Sequence, residues 1–191
     1  RLGIMYYTRY FIGFVATIGL IILLIVLLFH GGGKPKVVIT PKTLDSYATT
    51  DATVSMTIDG PINANQDHQQ IRILVNNQDA TFQHIQGYQG NVVNQQNFAN
   101  NVDAYTNFLF ALLRTGFTQG NNSKLLADER GRCPLGDRYI FELTEGGKTL
   151  QRYWATSCGG TQTYGGNLST TITLFQNQIP NYSNLSQGIT L

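Results

Sequence analysis

Phe11 to Phe29 reads FIGFVATIGLIILLIVLLF, an unbroken apolar run without a charged residue, and it limits what the chain can become more than any other stretch. At about 1.5 Å of helical rise per residue it covers roughly 28 Å, close to the roughly 30 Å hydrocarbon core of a bilayer. A cleaved secretory signal has a shorter apolar core, about 7–15 residues, and ends in small residues. This run leaves instead through Phe29, His30 and three glycines. A buried core helix is the other reading, but hydrophobicity all round is unusual at this length outside membranes. The expectation is an uncleaved single-pass signal anchor, a transmembrane helix over 11–29 with the lipid bilayer as its partner. Gly13, Ala16 and Gly19 lie inside it without forming G-x-x-x-G, so the motif for a helix-dimerising face is incomplete.

Around that run the chain divides into a cytoplasmic leader over 1–10, the span over 11–29, a Gly/Pro tether over 30–36, one domain over 37–180 and a flexible tail over 181–191. Arg1 is no ordinary initiator, so the chain reads as a fragment or as a translation begun too early, with Met5 a candidate start. Arg9 on one flank faces Lys34, Lys36 and Lys42 on the other, so positive charge does not decide the orientation. The cysteines tip it: a disulfide needs an oxidising compartment, so the domain is expected outside the cytoplasm. The tether's three glycines lack the preceding strand and following helix of a phosphate-cradling loop.

The net charge is +2 and charged residues make up 13% of the chain, without the basic stripe of a nucleic-acid binder. No nucleic-acid partner is expected. Polarity comes from amides and hydroxyls, as in NVVNQQNFANN, which suits an extracytoplasmic surface.

Alternation reads Val37–Thr40 and Thr53–Ile58 as strands, with a turn at Asp59-Gly60-Pro61, and Gln70–Val75 with Ala80–Ile85 as a hairpin. Phe98, Val102, Tyr105, Leu109 and Leu112 recur at helical steps, predicting a helix over Asn97–Thr115 that ends at Gly116 and packs a wide apolar face, Phe108, Phe110 and Leu113 included, across a sheet. DRYIFELTEGGKTLQRYWATSC reads as a second hairpin about Gly146-Gly147, with Glu145 facing Lys148 and Tyr139 opposite Trp154. That register puts Tyr139, Phe141, Leu143, Leu150 and Trp154 on one face, with Arg152 beside them needing a partner, an edge, or a different register. Leu168, Ile172, Phe175 and Ile179 have helical spacing behind an Asn167 cap, although the β-branched cluster at Thr170–Thr173 argues for a strand. The fold class is α+β: antiparallel sheet from two hairpins, packed by two helices.

CPLGDRYIFEL, RYWATSCGG and LFQNQIPNY, with the single amino-terminal span, resemble a group of uncharacterised membrane-anchored proteins of saccharibacteria and related reduced bacteria. The resemblance implies an anchor and a domain, and no activity. The element order is also similar to small protease-inhibitor domains of the emfourin type. A pilin-like subunit shares the amino-terminal helix and late disulfide, but no acidic residue precedes Asp45 where that class carries its glutamate.

Cys133 and Cys158, the two cysteines of the chain, flank the second hairpin and belong to no C-x-x-C motif. A disulfide is the natural reading, contributing about 3–4 kcal/mol on the loop-entropy model; two free buried thiols in a cytoplasmic domain are the alternative. Asn63, Asn65 and Asp67 have calcium-loop spacing, but His68 stands where the loop glycine belongs and Leu74 where the bidentate glutamate belongs. The mixed acids and bases Asp128, Glu129, Arg130, Arg132, Asp137 and Arg138 read as a solvated ion-pairing surface. No nucleophile motif is present. No catalytic, metal or cofactor residue is therefore expected, and the function expected is a non-enzymatic, membrane-anchored interaction module for a protein or surface ligand. The runner-up is an extracytoplasmic hydrolase, or a protease-inhibitor-like regulator, the hydrolase site assembling from His68, His84 and Asp137.

Overall fold

The computed structural model describes residues 2–30 and 42–191. They belong to two compact units, 1–41 and 42–191. In the first, one helix, α1, runs Leu2–His30, through the stretch read as a leader and into the first residue read as tether. Its side chains are described over 12–26, where all are exposed. Among the described residues no helix is long and apolar enough to cross a membrane, so the span rests on the sequence alone. The rest of the expected tether, 31–36, and the expected strand Val37–Thr40 lie outside the described residues.

The second unit is built on six strands: β1 Thr53–Asp59, β2 Gln69–Val75, β3 Asp79–Gln86, β4 Asn91–Ala99, β5 Arg138–Glu145 and β6 Lys148–Thr156. They lie side by side in the order β4-β3-β2-β1-β5-β6, and every neighbouring pair is antiparallel. Side chains alternate between the two faces. Val54, Met56 and Ile58 of β1, Ile71, Ile73 and Val75 of β2, and Phe141 and Leu143 of β5 join one buried core. Helices α2 (Val102–Arg114) and α3 (Leu168–Gln176) supply the other side of it, through Tyr105, Phe108, Leu109 and Leu112, and through Phe175. Phe175 meets Phe108 edge-on at 5.3 Å, and Phe141 lies 4.5 Å from Tyr164. Each such ring, fully buried, contributes roughly 1.5–3 kcal/mol.

The helix expected over Asn97–Thr115 begins later, because Asn91–Ala99 is a strand. Asn101 has extended backbone and accepts from the Ala104 amide at 2.9 Å, so the chain turns from strand to helix at a true N-cap. Phe98, which completed the helical period, instead lies opposite Ala80 on β3. Phe110 and Leu113 are exposed, which narrows the apolar face.

The second hairpin turns at Gly146 and Gly147, both at positive φ, with Glu145 opposite Lys148 as expected. Beyond the turn the register slips by one, Thr144 pairing Thr149 while Leu143 pairs Gln151. Leu150 is the extra residue of a bulge. Tyr139 consequently faces Ala155, and Ile140 faces Trp154. Tyr153 and Ala155 take the core side, while Trp154 and Arg152 turn to the opposite face, beside Ile140 and Glu142. The expected register is corrected, and with it the awkward place of Arg152.

Asn167 caps α3 by accepting from the Thr170 amide at 3.0 Å, so the helical spacing prevails over the β-branched cluster. In the tail, Tyr182–Leu185 forms a short α4, and Tyr182, Leu185, Ile189 and Leu191 pack on the core.

Candidate functional site

The face of the sheet turned away from α2 and α3 carries Thr57 and Asp59 of β1, Gln70 and Arg72 of β2, Arg138, Ile140 and Glu142 of β5, and Arg152 and Trp154 of β6. A segment after α2 crosses this face near β6. The Trp154 indole donates to the Leu126 carbonyl at 2.6 Å, and Arg152 donates to the Ala127 carbonyl at 3.0 Å. Between that segment and β2 lies a polar cleft of about 210 Å³, walled by Thr57, Arg72, Glu129, Ile140, Glu142 and Arg152, with Asp59 and Gln70 also lining it.

One end is rigid. Asp59 accepts from Arg138 Nε at 2.8 Å and from Gln70 at 2.8 Å, and faces His68 Nε2 at 2.8 Å. Arg138 is only 2% exposed and donates also to the Gly60 carbonyl. A buried guanidinium is tolerated only where its donors meet acceptors in this way. His68 is fully buried; its Nδ1 faces the Pro61 carbonyl at 3.1 Å and its ring stacks on Tyr88 at 4.0 Å. Both ring nitrogens are therefore engaged.

The other end is less complete. Arg152 donates to Glu129 Oε1 at 2.7 Å and lies 3.3 Å from Glu142. Glu129 is 9% exposed, and its second oxygen, Oε2, is shielded from solvent and meets no donor among the described residues. An acceptor left so is costly, on the order of 1–3 kcal/mol and more for a charged group. Across the cleft, Arg72 spends Nε on Thr57 Oγ1 at 3.2 Å. No hydrogen bond to its two terminal nitrogens is found among the described residues.

The sequence-based candidates fall elsewhere. Cys133 and Cys158 are joined by a disulfide, with Cα atoms 5.7 Å apart, at the end of the second hairpin. His84 bonds Gln69 at 3.0 Å, and Asp137 accepts from the Tyr139 hydroxyl at 3.3 Å. Burial, with Asp137 beside it, pushes that hydroxyl up to about 12. No hydrogen bond or ion pair among the described residues joins His68, His84 and Asp137. Asn63 and Asn65 bond loop backbone, at Asp67 and Tyr88, and no cluster able to hold a metal occurs among the described residues. The expected solvated ion-pairing surface is corrected in part. Arg130 does hold the exposed Asp128 carboxyl at about 2, but Glu129 and Arg138 are buried. The signal that marks the cleft was present as charges at alternate positions of apolar strands, Arg138 and Glu142 in RYIFELTE above all.

No protein-family model matches the sequence, and no curated protein is significantly similar to it.

Proposed function

We propose that this chain is a membrane-anchored, non-enzymatic binding module, held by the apolar run over 11–29, with its α+β domain outside the cytoplasm. The observation that carries the binding role is the cleft's incomplete polar wall, where the two terminal nitrogens of Arg72 meet no acceptor among the described residues while Glu129, Glu142 and Arg152 line the other side. The group that suits that wall offers an oxygen acceptor to Arg72, as the carboxylate of an amino acid or the oxygen of a carboxamide does. The volume holds one such group, so the ligand is small or inserts a single residue of a larger partner. The disulfide supports an oxidising compartment. The hydrolase alternative loses its main base, since His68 is sealed behind Tyr88 with both nitrogens engaged.

The test is a titration of the full chain, in detergent micelles, with free L-amino acids and their amides, read by amide NMR shifts and by the fluorescence of Trp154, the chain's one tryptophan. Saturable shifts centred on Thr57, Arg72, Glu129 and Arg152, weakened in Arg72→Met, support the reading. Absence of saturable shifts up to about 10 mM, where a ligand worth only about 3 kcal/mol would register, overturns it. Protease added to intact cells should digest the domain; its survival until the membrane is opened would reverse the orientation.

A further inference from the structure

A sheet of six strands has two edges, and among the described residues one of them is covered over its last four residues, Tyr153 to Thr156, while the other is not covered at all. At the β6 edge the Trp154 carbonyl accepts from the amides of Thr163 and Tyr164, both at 2.9 Å, and the Trp154 amide donates to Thr163 Oγ1 at 2.8 Å. Gly120 bridges Tyr164 and braces the covering segment. A side chain at Gly120 would meet the Tyr153 ring at 2.5 Å, so the close approach depends on that glycine.

The β4 edge is the opposite case. Its residues, NVVNQQNFA, form a nine-residue strand in which every residue but Phe98 is exposed, Val92 by 47% and Val93 by 52%. Hydrogen bonds tie it to β3 on one side, and none among the described residues reaches its other side from elsewhere in the domain. It contains no charge and no proline, two of the devices that ordinarily keep an edge from pairing; a third, a bulge, sits at Val93, where His84 pairs Asn94 and Ile85 pairs Val92, and leaves Asn94–Ala99 as the regular stretch open to a partner.

We infer that β4 is an interface between copies of this chain, pairing antiparallel with β4 of a second copy across a two-fold axis. Absence of charge favours that occupant. Antiparallel self-pairing brings each residue near its own counterpart, where like charges would repel, and here amides of Asn91, Asn94, Gln95, Gln96 and Asn97 meet amides instead. A contact that uses β4 on both sides is isologous, so it closes at a dimer instead of growing into a filament.

Single cysteines placed in turn at Val93, Asn94, Gln95, Gln96 and Asn97 of the full chain test this, because the native cysteines are already paired. Across a two-fold the residues at the axis have Cα atoms about 4.5–5.5 Å apart, within disulfide reach. The expected result is intermolecular crosslinking that peaks at one position, falls off on both sides, and exceeds a Lys148→Cys control several-fold. Gln95→Lys with Asn97→Lys should abolish the dimer by placing like charges across the axis. Crosslinking no greater than the control, or a dimer fraction unchanged by the two lysines, overturns the proposal and leaves an extended segment of another protein as the occupant to seek.

Discussion

β6 and β4 close the same sheet at opposite ends, yet among the described residues the last four positions of β6 are sealed and β4 is bare. On β6, Tyr153, Trp154, Ala155 and Thr156 are all at most 5% exposed, because core, crossing segment and edge cover approach the strand from three sides. On β4 a single residue is even half-buried. Strands of equal length, nine residues each, are therefore held by different means. β6 is fixed by tertiary packing, and β4 by its ladder to β3. Stability should concentrate in the β1-β5-β6 half, leaving the β3–β4 ribbon as the part free to take a partner.

The largest effect expected from this contrast is at Trp154. Replacement by alanine removes a fully buried indole and leaves the Leu126 carbonyl without its donor. Destabilisation of about 3–5 kcal/mol is expected in denaturant unfolding, against less than about 0.5 kcal/mol for Val93→Ala. Equal costs at the two positions would break the comparison.

Next comes the disulfide, which ties the start of β5 to the end of β6 across a sequence separation of 25. Cys133→Ser with Cys158→Ser should lower stability by about 3–4 kcal/mol on the loop-entropy argument. Hydrogen exchange should quicken first in β5 and β6. If protection falls equally in β3 and β4, the domain unfolds as one unit and the two halves are not energetically distinct.

The same contrast accounts for what could be read in the sequence. Thr53–Ile58, both glycine- or amide-turned hairpins and the cap at Asn167 were legible because each has a local cause: alternation, a turn demanding positive φ, an Asx cap. β4 was not, since its amides carry no hydrophobic period and its one buried anchor, Phe98, fits the period of the next helix equally well. The cleft was hidden by a single residue. Leu150 slips the register, and every side chain of β6 beyond it changes face, so Arg152 cannot be assigned to the cleft until the bulge is known. Burial of Arg138 and Glu129 depends on segments far away in sequence, Asp59 and Gly60 for one and β6 for the other.

The junction between bare strand and packed helix offers a smaller test. Asn101→Ala removes the bond to the Ala104 amide and should cost about 1 kcal/mol. The loss should appear as fraying of the first turn of α2, seen by amide exchange, while Gln95 stays paired with Gln83. Collapse of the β3–β4 pairing in this variant would mean that α2, and not the ladder, holds the edge strand in place.

The smallest effect concerns His84, on β3 within the bare half. Burial alone holds its imidazole below the ordinary 6.5. A histidine with a depressed folded pKa binds its proton more readily in the unfolded chain, so stability rises with pH between the folded and unfolded values. Its contribution is complete above about 6.5 and is lost as pH falls through that window, with no further loss below the folded value. Asp128, held at about 2 by Arg130, and Glu145, held below its ordinary value by Lys42, titrate at lower pH and do not enter the window. His84→Gln should therefore flatten part of the decline in unfolding midpoint between pH 7.5 and 5.5. An imidazole titrating by NMR at its ordinary value, with parallel profiles for variant and parent, would mean that water reaches this face of the ribbon. The bare region would then begin at β3, one strand further into the sheet.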